Sequence, residues 1–79
     1  MPRPTNMSTK SRFGVLVCNR LKEMGKNQKY LAQETGLSQF YVYQLLNGVY
    51  NPSVKVLCNI SKVTGIGIEE LTKALLDES

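Results

Sequence analysis

Gln28-Lys29-Tyr30-Leu31-Ala32-Gln33-Glu34-Thr35-Gly36-Leu37-Ser38-Gln39-Phe40-Tyr41-Val42-Tyr43-Gln44-Leu45-Leu46-Asn47-Gly48 is the stretch whose reading decides the fold. It reads as two short helices hinged at Gly36. The first turns Leu31 and Ala32 inward, and Ala32 is small because the next helix must approach closely. Gly36 supplies a left-handed backbone that glycine reaches without penalty. Ser38 is the N-cap of the second helix, Gln39 to about Asn47, whose Val42, Leu45 and Leu46 follow three- and four-residue spacing. Gln39, Phe40, Tyr43 and Gln44 fall on another face. Asn47-Gly48 ends the helix, with glycine just past its C-terminus.

The flanking sequence continues the helical pattern. A first helix is expected from near Ser11 to Met24, with Gly25 ending it. Phe13, Val17, Leu21 and Met24 share one face, Leu16 widens it, and Arg12, Asn19, Arg20, Lys22 and Glu23 lie off it. Asn27 caps the second helix, Gln28 to Thr35, with Tyr30 at its edge. After the loop Val49-Tyr50-Asn51-Pro52, Ser53 caps a fourth helix from Val54 to about Thr64, with Val56, Leu57, Ile60 and Val63 as its core face and Gly65 as its stop. A fifth helix starts near Ile68 or Glu69, where two acids suit a helix N-terminus, and carries Leu71, Leu75 and Leu76. Residues 1–10, with Pro2 and Pro4 among polar and basic residues, read as a flexible basic arm. Such an arm either reaches DNA phosphates or the minor groove or remains a disordered tail. The tail Asp77-Glu78-Ser79 is expected to fray. The fold class is therefore all-α, with residues 11–79 as one domain of five helices.

Composition narrows the function. The chain has 79 residues and a net charge of +4, unevenly placed. Up to residue 30 there are seven basic residues (Arg3, Lys10, Arg12, Arg20, Lys22, Lys26, Lys29) against Glu23 alone; from residue 31 there are three basic and five acidic. A positive half facing a polyanion fits this better than an unevenly solvated surface. Cys18 and Cys58 without any histidine fall short of a structural zinc set. Both sit in apolar helical patterns, so buried free thiols in a reducing cytoplasm are expected. The longest apolar run, Gly14 to Cys18, is too short for a signal peptide core or a membrane span. No glycine-rich phosphate loop and no converging carboxylate pair suggests an enzyme; Glu69 and Glu70 point apart on a helix. Two short helices around a glycine, with an exposed Gln-Phe-Tyr face on the second, are the layout of a helix-turn-helix and point to DNA.

The chain also resembles a known family. Gln28, Leu31-Ala32, Gly36, Leu37-Ser38-Gln39, Val42, Leu45, Asn47-Gly48, Pro52, Ile60, Gly65 and Leu71 stand in the order and spacing of the Xre-type helix-turn-helix domains of phage repressors and Cro proteins. Phe13, Val17 and Met24 extend the likeness through helix 1. The resemblance implies a five-helix, lambda-repressor-like DNA-binding domain that binds operator DNA as a two-fold homodimer on an inverted repeat. Gln28 and Asn47 would then contact phosphates, Ser53 and Lys55 would meet backbone beyond the groove, and Ser38 would cap the recognition helix at the DNA. Gln39 would bond adenine N6 and N7, with Phe40, Tyr43 and Gln44 at the other base-facing positions. For Phe40, base or sugar contact stands beside packing on helix 2 or over Tyr30. For Tyr41, phosphate contact stands beside capping the core. Tyr50 is either a phosphate or a dimer contact.

Two departures from the family matter. An arginine of helix 1 and a glutamate late in helix 3 form a buried pair in many relatives; here those places fall on Leu21 and Leu46, which are expected to touch in the core. The recognition helix has no charged residue, so arginine readout of guanine is excluded and an A·T-containing half-site is expected at the positions met by Gln39 and Phe40. Dimerisation is expected through helix 5, with Ile66, Ile68, Leu71 and Leu75 as its surface and Leu76 beside them. The alternative is that these residues cap the monomer core. The functional expectation is a transcriptional regulator, a repressor, in a bacterial cytoplasm and encoded by phage, plasmid or host. Its partner is double-stranded DNA, with no cofactor, metal, small-molecule ligand or membrane. The rival reading is an antitoxin or other protein-binding module with autoregulatory DNA binding.

Overall fold

The computed structural model describes residues 11–76, so the expectations for the arm at residues 1–10 and for the tail at 77–79 lie outside it. The described chain forms α1 (Arg12–Glu23), α2 (Gln28–Thr35), α3 (Gln39–Leu46), α4 (Val54–Thr64) and α5 (Ile68–Leu76). The first four helices begin at polar caps, the expected Asn27, Ser38 and Ser53 and, for α1, Ser11. Ser11, Asn27, Ser38 and Ser53 each stand in extended backbone and accept a hydrogen bond from the N–H three residues on. Each such cap is worth about 1 kcal/mol.

The helix ends are equally local. At α1 the Gly25 N–H donates to the Lys22 carbonyl (3.0 Å) and the Lys26 N–H to the Leu21 carbonyl (2.8 Å). That is a Schellman closure, with Gly25 left-handed at φ +73°. Gly36 does the same for α2, where the Leu37 N–H reaches back to the Ala32 carbonyl at 3.0 Å. The joint between α2 and α3 is therefore only Gly36, Leu37 and Ser38.

One core holds the five helices together. Phe13, Val17 and Leu21 of α1 meet Leu31 and Ala32 of α2, Val42, Leu45 and Leu46 of α3, Leu57 and Ile60 of α4, and Ile66 and Leu71. Full burial of each large apolar side chain contributes about 1.5–3 kcal/mol before conformational entropy is set against it. Leu21 and Leu46 both lie in this cluster, so no charge needs to be desolvated there. Among the described residues the buried polar side chain is Thr64. Its hydroxyl donates to the Ile60 carbonyl (2.7 Å) and accepts from the Ile66 N–H (3.3 Å). α2 packs on both α3 and α4, while α1 spans α3 and α5.

Two expectations are corrected, and one residue gains a contact. Cys18 is half-buried and Cys58 exposed, both free, because Cys58 lies off the Leu57–Ile60 face of α4. Arg20 lies off the apolar face and is exposed as expected, and in addition its Nε donates to the Thr64 carbonyl (2.8 Å) and its Nη1 pairs with Glu23 (3.2 Å), tying α1 to the end of α4. Ile66 at 6% exposure and Leu71 at 0% are spent on the chain's own core and offer no surface to a second copy. The apolar surface of α5 is instead Ile68 and Leu76, one face apart by i, i+8, with Leu75 half-buried beside them.

Candidate nucleic-acid interface

Helix α3 is held at both ends and divided cleanly by face. At its start the Ser38 hydroxyl oxygen accepts from the Tyr41 N–H at 3.0 Å. At its end the last four carbonyls, which no helix satisfies internally, all find donors. The Asn47 N–H donates to Tyr43 O, the Val49 N–H to Gln44 O and the Gly48 N–H to Leu45 O, at 3.0–3.2 Å. The fourth, Leu46 O, receives two bonds from across the fold, from the Ser11 N–H (3.2 Å) and the Ser11 hydroxyl (3.0 Å).

The buried face of α3 is Val42, Leu45 and Leu46; the outward face is Gln39, Phe40 and Tyr43, with Gln44 and Asn47 half-exposed. Phe40 stands 68% exposed and Tyr43 51%. Phe40 is therefore not packed down on α2 or over Tyr30. Neither ring is used by the chain's own core, so both are open to a partner surface. Tyr41 is half-buried against the core, and its ring stacks on Tyr50 with centroids 5.6 Å apart and planes 19° from parallel. The stack fastens the loop after α3 to α3 itself, which neither reading of Tyr41 or Tyr50 anticipated.

The other candidate contact residues lie on α2, on α4 and before α2, in less uniform settings. Gln28 opens α2 but is half-buried, and its Nε2 donates to the Cys18 sulfur at 3.8 Å. An amide nitrogen carries two hydrogens, so one donor remains for an anion. Ser53 and Lys55, at the start of α4, are both exposed, and so is Val54 between them. Lys29 is exposed on α2, and the Lys26 ammonium lies 4.8 Å from the centre of the Tyr30 ring. That contact leaves the charge at the surface beside the start of α2.

Sequence reasoning missed two residues. Ser11 was expected only near the start of the first helix; it is both the N-cap of α1 and the donor to Leu46 O. Gly14 is buried in α1, and a Cβ there would sit 1.9 Å from the Leu46 carbonyl oxygen. A glycine within the first turn of an otherwise good helix was the available signal, since glycine is a poorer helix residue than alanine without some reason of packing.

Among the described residues no group of histidine, cysteine and carboxylate side chains is placed to hold a metal, and no helix is long and apolar enough to cross a membrane. A helix-turn-helix family model matches residues 19–71, the span from mid-α1 to the buried Leu71. No curated protein and no solved structure matches the chain significantly.

Proposed function

The chain belongs to the Xre-type helix-turn-helix family, a family of DNA-binding domains, and from that premise we propose that it is a sequence-specific repressor acting on an inverted-repeat operator. The observation that carries the reading is α3 itself: eight residues, fixed at both ends, with Gln39, Phe40 and Tyr43 outward and no charge. In this proposal α3 enters the major groove, Gln39 bonds adenine through N6 and N7, and the Phe40 ring packs on a thymine methyl. Gln28, Asn47, Ser53 and Lys55 contact the phosphates that set the register. Two copies, paired through the outer face of α5, place their α3 helices about one helical turn apart and block polymerase.

An uncharged reading helix assigns affinity and specificity to different residues. Lysines and arginines outside α3 supply the salt-sensitive attraction; glutamine and aromatic contacts supply discrimination. Selection of bound duplexes from a random pool at two salt concentrations tests both. The expected result is a palindromic consensus with A·T pairs under Gln39 and Phe40, and binding that weakens steeply as salt rises. A consensus with only G·C at those positions would reject the readout assigned here. No enrichment at either salt would reject DNA as the specific partner and favour a protein partner.

A further inference from the structure

The contact between the first turn of α1 and the last carbonyl of α3 is made by residues that no part of the proposed interface uses. Three features converge on Leu46 O. The Ser11 N–H and hydroxyl both donate to it, at 3.2 and 3.0 Å. The Ser11 oxygen in turn accepts from the Gly14 N–H at 3.0 Å, so a relay runs from the α1 backbone through one hydroxyl into the α3 backbone. Gly14 has no side chain where any Cβ would overlap the Leu46 oxygen, and Gly48, at φ +84°, keeps its missing Cβ 3.3 Å from Ser11 Cβ.

The N-terminal end of α3 is fixed differently, by its own Ser38 cap and by the short joint to α2. The two halves of α3 thus have separate anchors. A helix carried on rigid neighbours reads bases only if each contact is held within about 0.5 Å. We propose that Ser11, with Gly14 as its seat, is a positioning residue for base readout that sets the height of the C-terminal half of α3. It does so for Tyr43 and Gln44, while Gln39 and Phe40 are governed from the Ser38 end. The assignment rests on the reading of α3 as the base-contacting helix.

The test compares base preference position by position in Ser11→Ala, Ser11→Thr and Thr64→Val, using the operator selected by the unaltered protein. Ser11→Ala removes the hydroxyl relay and keeps the backbone bond. Thr64→Val removes two buried hydrogen bonds of comparable cost far from the α1–α3 contact. The expected result for Ser11→Ala is a loss of about fivefold or more in discrimination at the base pairs under Tyr43 and Gln44. Discrimination under Gln39 stays within about twofold, and Ser11→Thr restores the original profile. Thr64→Val lowers thermal stability and leaves the profile unchanged. If Ser11→Ala lowers discrimination equally at every position, or matches Thr64→Val, Ser11 acts on stability alone and the positioning role is wrong. If the unaltered protein selects no sequence, it is the DNA-reading assignment that fails.

Discussion

Replacing Gly14 with alanine sets two effects of opposite sign against each other. Helix propensity alone favours alanine, by at most about 1 kcal/mol in the first turn. The packing opposes it, because the new Cβ would lie 1.9 Å from Leu46 O and 2.8 Å from its carbonyl carbon. Both of those atoms are backbone, so nothing flexible can give way. Overpacking of this kind costs about 1–3 kcal/mol and occasionally more. Gly14→Ala is expected to destabilise by about 2 kcal/mol or more in urea unfolding. A variant as stable as the parent would mean that α1 and α3 can separate freely. The same residue-scale logic explains why Leu21 and Leu46 suit this chain. Two leucines in the core need no partner, whereas a single charge left unpaired there would cost several kcal/mol.

At the scale of elements, the joint between α2 and α3 depends on one backbone conformation. Gly36 has φ +77°, and an added Cβ would meet nothing within 4 Å. Any penalty there is conformational and not steric crowding by neighbours, which separates Gly36 from Gly14. Asparagine tolerates the left-handed region best among residues with a side chain, and β-branched residues worst. Gly36→Asn is expected to lower the melting temperature by a few degrees, and Gly36→Val by roughly 10 °C, taking about 4–8 °C per kcal/mol for a domain of this size. Equal shifts for both variants would show that the joint is not held left-handed. The Tyr41–Tyr50 stack is the other element-scale device, since it makes the loop after α3 part of the same rigid unit.

For the whole molecule, the question is what the outer face of α5 meets. Ile68 at 39% exposure and Leu76 at 69% lie on it, while Leu71 faces inward. Half-site spacing in a two-fold complex fixes the distance between two α3 helices, so a dimer must use a surface that leaves both free. The outer face of α5 meets that need because α5 packs on α1 and α4 and not on α3. Ile68→Glu combined with Leu76→Glu is expected to raise the dimer dissociation constant at least tenfold in sedimentation while the fold is kept, since both side chains are already exposed. An unaltered protein that sediments as a monomer at every concentration would refute this surface. Charge enters at the same scale: the basic residues are concentrated before residue 31, and Lys26, Lys29 and Lys55 are exposed, while α3 carries no charge.

Much of this was written locally in the sequence. Asn27, Ser38 and Ser53 as caps, Gly25, Gly36, Gly48 and Gly65 as stops, and the three- and four-residue apolar spacing determined the five helices, because each signal acts within one or two turns of itself. The outward Gln39, Phe40 and Tyr43 followed from the same periodicity. Tertiary structure alone decided where the ends of those helices meet. The Ser11–Leu46 bonds span 35 residues and the Arg20–Thr64 bond 44, and both end on a backbone carbonyl, a group every residue carries and no sequence pattern marks. It also decided that Ile66 and Leu71 fill the monomer core while Leu76 does not. Apolar spacing identifies a face, but how much of that face is covered depends on which helix the fold lays against it.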